Sequence, residues 1–112
     1  MVSEKAAQQT TKAENVGFHD YELVVIISPE VEEEKLEAVI ENISQFIVQK
    51  GGAISEIDRW GRRKLAYPIK RSMEGYYVLT QFKMKPTLSK ELEAMLHISE
   101  KVLRHLLIKL SS

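Results

Sequence analysis

An α+β fold, ordered strand, helix, strand, strand, helix, strand, is predicted by three observations. Two segments carry apolar residues at spacings of three and four, as a half-buried helix requires. Four other segments are extended, with β-branched and aromatic residues that alternate or run on continuously. Pro29, Gly51, Gly52 and Pro86 stand where one pattern gives way to the other.

Residues Met1 to Gly17 are small and polar, with no apolar period, and are expected to form an unstructured tail. Tyr21-Glu22-Leu23-Val24-Val25-Ile26-Ile27 is almost continuously apolar, which suits a central strand. Tyr21, Leu23, Val25 and Ile27 share one face, with Val24 and Ile26 on the other. Ser28 is expected to cap a helix that begins at Pro29, with Glu30, Glu32, Glu33 and Glu34 at the positive end of its dipole. Leu36, Val39, Ile40, Ile43, Phe46 and Ile47 form its stripe, and Gly51-Gly52 ends it.

Ala53 to Ile69 is extended. Ile54 and Ile57 are out of phase, and Gly61 interrupts the run, so a bulge or bend is expected near Gly61. Pro68 demotes the far end to an edge strand or a strand exit. Lys70 to Gly75 is predicted as a turn, and Tyr76 to Met84 as the return strand of a hairpin. Tyr76, Val78, Thr80, Phe82 and Met84 share one face, with Tyr77, Leu79, Gln81 and Lys83 on the other. Pro86-Thr87 opens a second helix whose stripe is Leu88, Leu92, Met95 and Leu96. Val102 to Leu110 is the last strand, apolar on both faces apart from Arg104, His105 and Lys109.

Two split βαβ units in this order give a ferredoxin-like sandwich, a four-stranded antiparallel sheet with both helices on one face. The single domain is expected to span residues 18–112. Its other sheet face is left open, and an open face with apolar residues calls for a partner.

With 44% hydrophobic and 29% charged residues, the 112-residue chain has the composition of a soluble globular domain. It has no cysteine, which excludes disulfides, thiolate metal sites and a cysteine nucleophile. No apolar run has the roughly 20 residues of a membrane helix. The N-terminal stretch has no secretory h-region, lacks Arg and carries Glu4 and Glu14, so neither a signal nor a transit peptide is expected.

Formal net charge is zero. Yet Arg59-Trp60-Gly61-Arg62-Arg63-Lys64-Leu65-Ala66-Tyr67-Pro68-Ile69-Lys70-Arg71 holds six of the 16 Lys and Arg residues and no carboxylate. The remainder of the chain is net acidic. An anionic partner should land on such a strip. Trp60 and Tyr67 lie among the cations, and aromatic faces beside guanidinium groups suit stacked bases or a protein hot spot. A neutral chain that holds nucleic acid by phosphate contacts needs either a local patch or a basic helper.

Catalysis finds little support. His19, His97 and His105 have no carboxylate at triad or ligand spacing. The loop Ile27-Ser28-Pro29-Glu30 is acidic and lacks glycine, so it would repel a phosphate. No metal, cofactor or small-molecule substrate is expected. An RNA-recognition motif fits weakly, because Glu74-Gly75-Tyr76-Tyr77-Val78 puts Glu where that motif has a cation. A ferredoxin-like module that self-associates through its open face is a further alternative.

Trp60-Gly61-Arg62-Arg63-Lys64-Leu65-Ala66-Tyr67-Pro68-Ile69 resembles the signature of the bacterial small-subunit ribosomal protein six family. Tyr21-Glu22, Gly75-Tyr76-Tyr77-Val78 and Leu96-His97-Ile98-Ser99-Glu100-Lys101-Val102-Leu103-Arg104 agree with it. The resemblance covers about Tyr21 to Leu110. It implies a ferredoxin-like, non-enzymatic, cytoplasmic protein. It further implies binding to small-subunit ribosomal RNA together with a small basic partner, ribosomal protein eighteen. That partner would supply the charge that this chain lacks. On the matching positions, Arg62, Arg63, Lys64, Tyr67 and Arg104, with the neighbouring Arg71, are the expected RNA and partner surface. The chain departs from many relatives at His19, where they carry Arg. Some relatives also carry an acidic C-terminal tail that can be extended with glutamate. No such modification is expected after Leu110-Ser111-Ser112.

Overall fold

A computed structural model describes residues 17–110. The expected tail therefore lies outside the described residues except for Gly17, as do Ser111 and Ser112. The element order is β1 (His19–Ile27), α1 (Glu33–Gln49), β2 (Ala53–Ile69), β3 (Ser72–Met84), a 3₁₀ turn (Pro86–Leu88), α2 (Ser89–Ile98) and β4 (Val102–Lys109). The strands form one antiparallel sheet in the order β2-β3-β1-β4. The predicted βαββαβ sandwich is the fold observed.

The core lies between the sheet and both helices. Tyr21, Leu23, Val25 and Ile27 of β1 meet Tyr76, Val78, Phe82 and Met84 of β3 on one sheet face. Val39, Ile40, Ile43 and Ile47 of α1 and Leu92 and Leu96 of α2 cover them. Helix α1 ends as its sequence requires. Gly51 adopts φ +93°, its N–H donates to the Val48 carbonyl, and that of Gly52 donates to Ile47, which closes a Schellman motif. A Cβ on Gly52 would come within 2.6 Å of Ile47 Cγ2.

Three boundaries differ from expectation. Ser28-Pro29 does not open α1. The Val31 N–H donates to the Ser28 carbonyl and the Glu30 N–H to Ser28 Oγ, so these residues make a turn, and the helix begins at Glu33. Turn formation competes with capping for the same hydroxyl. Only Glu33 and Glu34 then occupy the first helical turn. Pro86 likewise opens a 3₁₀ turn, with α2 following at Ser89. The hairpin turn is also shorter than predicted. Ile69 pairs with Ser72, and only Lys70 and Arg71 lie between them, both in the left-handed region at φ 49° and 69°. Positive φ at both central residues is the geometry of a two-residue type I′ turn, whose twist matches that of the flanking strands.

The out-of-phase pair in β2 has a structural reason. Register shifts between Ile54 and Glu56, so Ile54 opposes Phe82 and Ile57 opposes Thr80 on the core face. A second shift falls between Arg59 and Gly61, where Gly61 has φ +84°. The bulge expected at Gly61 is present.

Candidate nucleic-acid and partner interface

Apart from Arg59 and Trp60, which precede the Gly61 bulge, the positive strip occupies the outer half of the β2–β3 hairpin. β2 is an edge strand, so its outer half is covered by no strand on one side. Side chains alternate between faces there, and the strip is divided by that alternation.

On the helix side lies Arg62. Its Nε donates to Glu74 Oε1 at 2.5 Å, and its guanidinium carbon stands 5.6 Å from the centre of the Tyr76 ring. The bond to Glu74 pushes the Arg62 pKa further up. Lys64 opposes Glu74 across the ladder and shares this side. Arg59, at the base of the hairpin, makes a bidentate bond to Glu37 of α1 at 2.6 and 2.7 Å. That bond raises the Arg59 pKa and holds the Glu37 carboxyl below the usual carboxylate range. Arg59 thus ties the hairpin base to the helix layer.

On the open sheet face the arrangement is a stack. The Arg63 guanidinium lies 5.5 Å from the centre of the Trp60 ring, and Trp60 lies on Tyr77 with centroids 6.3 Å apart and planes 12° from parallel. The Trp60 indole N–H donates to Asp58 at 3.0 Å. Trp60 is therefore braced from below by Tyr77, yet 40% of it remains exposed. Farther out, Leu65 is buried against Ile26 and Leu103, with Ile69 and Tyr77 packed around them. This small second cluster draws the hairpin arm over the open face. Arg104 of β4 then donates a hydrogen bond to the Tyr67 hydroxyl. Leu103 reaches this face because the β1–β4 register shifts between Ile26 and Ile27. Gly75 permits the close packing, since a Cβ there would lie 2.4 Å from Ile26 Cγ2.

The rest of the open face follows from register. One row across the sheet reads Asp58, Leu79, Val24, Leu106, and the next reads Glu56, Gln81, Glu22, Ile108. Leu106 is 51% exposed and Ile108 38% exposed. A hollow of about 200 Å³ opens among Val24, Ile26, Tyr77 and Leu106. The face thus has an apolar centre, carboxylates at Glu22, Glu56 and Asp58, and cations at Arg63 and Arg104.

Of the residues singled out from sequence, Arg63, Tyr67 and Arg104 share the open face, where Arg104 meets Tyr67 and Arg63 lies over Trp60. Arg62 and Lys64 lie on the opposite side of the arm, and Arg71 sits at its tip. Leu65 and Ile69 of the strip are packing residues. Sequence reasoning missed Ile26, Tyr77 and Leu103 as supports of the arm. The signal available was Gly75, whose missing side chain marks a close approach.

These features define a protein that works through surfaces, an open sheet face and a cationic arm. The family model described as Ribosomal protein S6 matches residues 20–109. The chain is 45% identical over 105 residues to small ribosomal subunit protein bS6 of Dehalococcoides mccartyi, covering 94% of this chain and 96% of that protein. It is 46% identical over 92 residues to bS6 of Caldanaerobacter subterraneus, covering 82% and 97%. The crystal structure of 30S ribosomal protein S6 from Thermotoga maritima superposes with a TM-score of 0.80 at 31% identity, covering 83% of this chain and 88% of that one. The chain belongs to the Ribosomal protein S6 family. It is accordingly a small-subunit ribosomal protein of the bacterial, cytoplasmic type, from a family that is not enzymatic.

Proposed function

We propose that this chain binds small-subunit ribosomal RNA jointly with ribosomal protein eighteen. The observation that carries the reading is the cationic arm on a chain of zero net charge. Arg62, Arg63, Lys64 and Arg71 contact phosphates, and Arg104 and Tyr67 fix the arm on the open face. The partner covers the apolar centre formed by Val24, Leu79, Leu106 and Ile108. A basic partner suits that face, because Glu22, Glu56 and Asp58 flank the apolar row. Its charge also supplies the phosphate neutralisation that a neutral chain lacks.

The test is assembly of the full chain with ribosomal protein eighteen on a small-subunit RNA fragment. The triple variant Arg62→Ala, Arg63→Ala, Lys64→Ala is expected to lose RNA binding at moderate salt while remaining folded. Unchanged RNA affinity would remove the arm from the interface. A stable homodimer that ignores both RNA and partner at every salt concentration would favour a self-association module instead.

A further inference from the structure

A second basic feature lies outside the strip. Between the hairpin tip, the C-terminal end of α2 and the start of β4 is a notch of about 200 Å³. It is lined by Lys70, Leu96, His97, Val102, Leu103, Arg104 and His105. Every ionisable residue of the lining is a cation or a histidine. The hollow beside the β1–α1 turn is mixed, with Glu30, Glu32 and Glu100 beside Lys35 and Lys101 in its wall. The nearby carboxylate of Glu93 lies 3.5 Å from His105 Nε2, so His105 is matched within the protein. Among the described residues, no carboxylate lines the notch beside Lys70, His97 and Arg104. Arg104 gives one N–H to Tyr67 and keeps others, because a guanidinium carries five.

We propose that this notch takes one phosphate group of the RNA backbone, held by Lys70 and Arg104 with His97 at its rim. The inference rests on the RNA reading above and extends it to Lys70 and His97, which lie outside the residues assigned there. Three elements converge on the notch, so its geometry depends on the arm being seated. Lys70 reaches it from a left-handed turn residue, φ 49°. The type I′ turn that requires this conformation carries Lys70 at the exposed tip of the arm.

The experiment uses the full chain with ribosomal protein eighteen and an RNA fragment, titrated at several salt concentrations. Lys70→Asn, His97→Gln and their combination are compared with the native chain. Asn removes the charge and still tolerates the left-handed backbone. The subsite predicts that the salt slope of the double variant falls by about one unit. An unchanged slope, with native binding intact, overturns the subsite and leaves the RNA reading standing. Failure of the native complex to bind RNA overturns both. A second arm adds inorganic phosphate to the full chain and follows its amide resonances. Shifts around Lys70, His97 and Arg104 that the double variant abolishes support a phosphate site. The same shifts beside an unchanged RNA slope would assign the notch to a free anion and overturn the backbone-phosphate proposal.

Discussion

On its covered face the sheet shares one continuous core with two helices, whereas on its open face, among the described residues, only Ile26, Leu65 and Leu103 are buried together. The first cluster fixes the fold. The second fixes one arm of one hairpin. A protein that works by surface contact needs both, because a cationic strip on a loose hairpin would lose ordering entropy on binding. The difference also places function. The sequence elements that carry the family signature, from Trp60 to Ile69, belong to the small cluster and its margins, not to the core.

The comparison can be broken first at the core. Phe82→Ala removes a fully buried ring and should cost about 3–5 kcal/mol, read as a lower denaturation midpoint for the whole chain. In the small cluster, Leu65→Ala should cost about 2 kcal/mol, the low end for a buried leucine, because its neighbours are near solvent and can close in. Amide exchange should then quicken in the arm, around residues 62–75, and stay slow in β1 and at the base of β3. Equal loss of protection everywhere would show that the two clusters are one cooperative unit.

A third change sharpens the comparison by reversing its sign. Arg71→Gly relieves a left-handed residue in open space at the hairpin tip. It should stabilise the chain by about 0.5–1 kcal/mol, yet weaken RNA binding by removing a cation. A drop in both stability and affinity would argue that Arg71 packs in place. The smallest effect belongs to Arg59 and Glu37, an exposed pair. Glu37→Gln should cost about 0.5 kcal/mol, as surface pairs do. The carboxyl is held below its ordinary value by Arg59, so its contribution is present above the unfolded pKa and fades as pH falls through the folded one. The difference between native and Glu37→Gln melting temperatures should vanish in acid. A difference that persists there would mean packing, not charge, is responsible.

The covered face was legible because period and burial coincide. Each apolar position in β3, from Tyr76 to Met84, alternates as a half-buried strand should. The bulge at Gly61 was legible from a glycine and a phase break. The start of α1 was not, because Ser28 and Pro29 suit a turn and a helix cap equally well and only the hydrogen bonds of Glu30 and Val31 decide. The two-residue turn was missed for a related reason. Type I′ turns favour Asn and Gly, and Lys70-Arg71 is neither. The basic strip was visible as composition, but its division into two sides depends on strand alternation and on the Gly61 bulge. The seating of the arm was not legible, since Leu65, Ile26 and Leu103 come from three strands, and Leu103 reaches the cluster only through a register shift.

The central claim is that the small cluster positions the arm for assembly. Its most direct test is the affinity of Leu65→Ala for ribosomal protein eighteen and the RNA fragment, measured where the variant is fully folded. Loss of the seated arm predicts at least about tenfold weaker assembly, or about 1.4 kcal/mol, with β1 and the helices unperturbed. Assembly at native affinity with a demonstrably loosened arm would contradict the claim and leave the cluster a matter of stability alone.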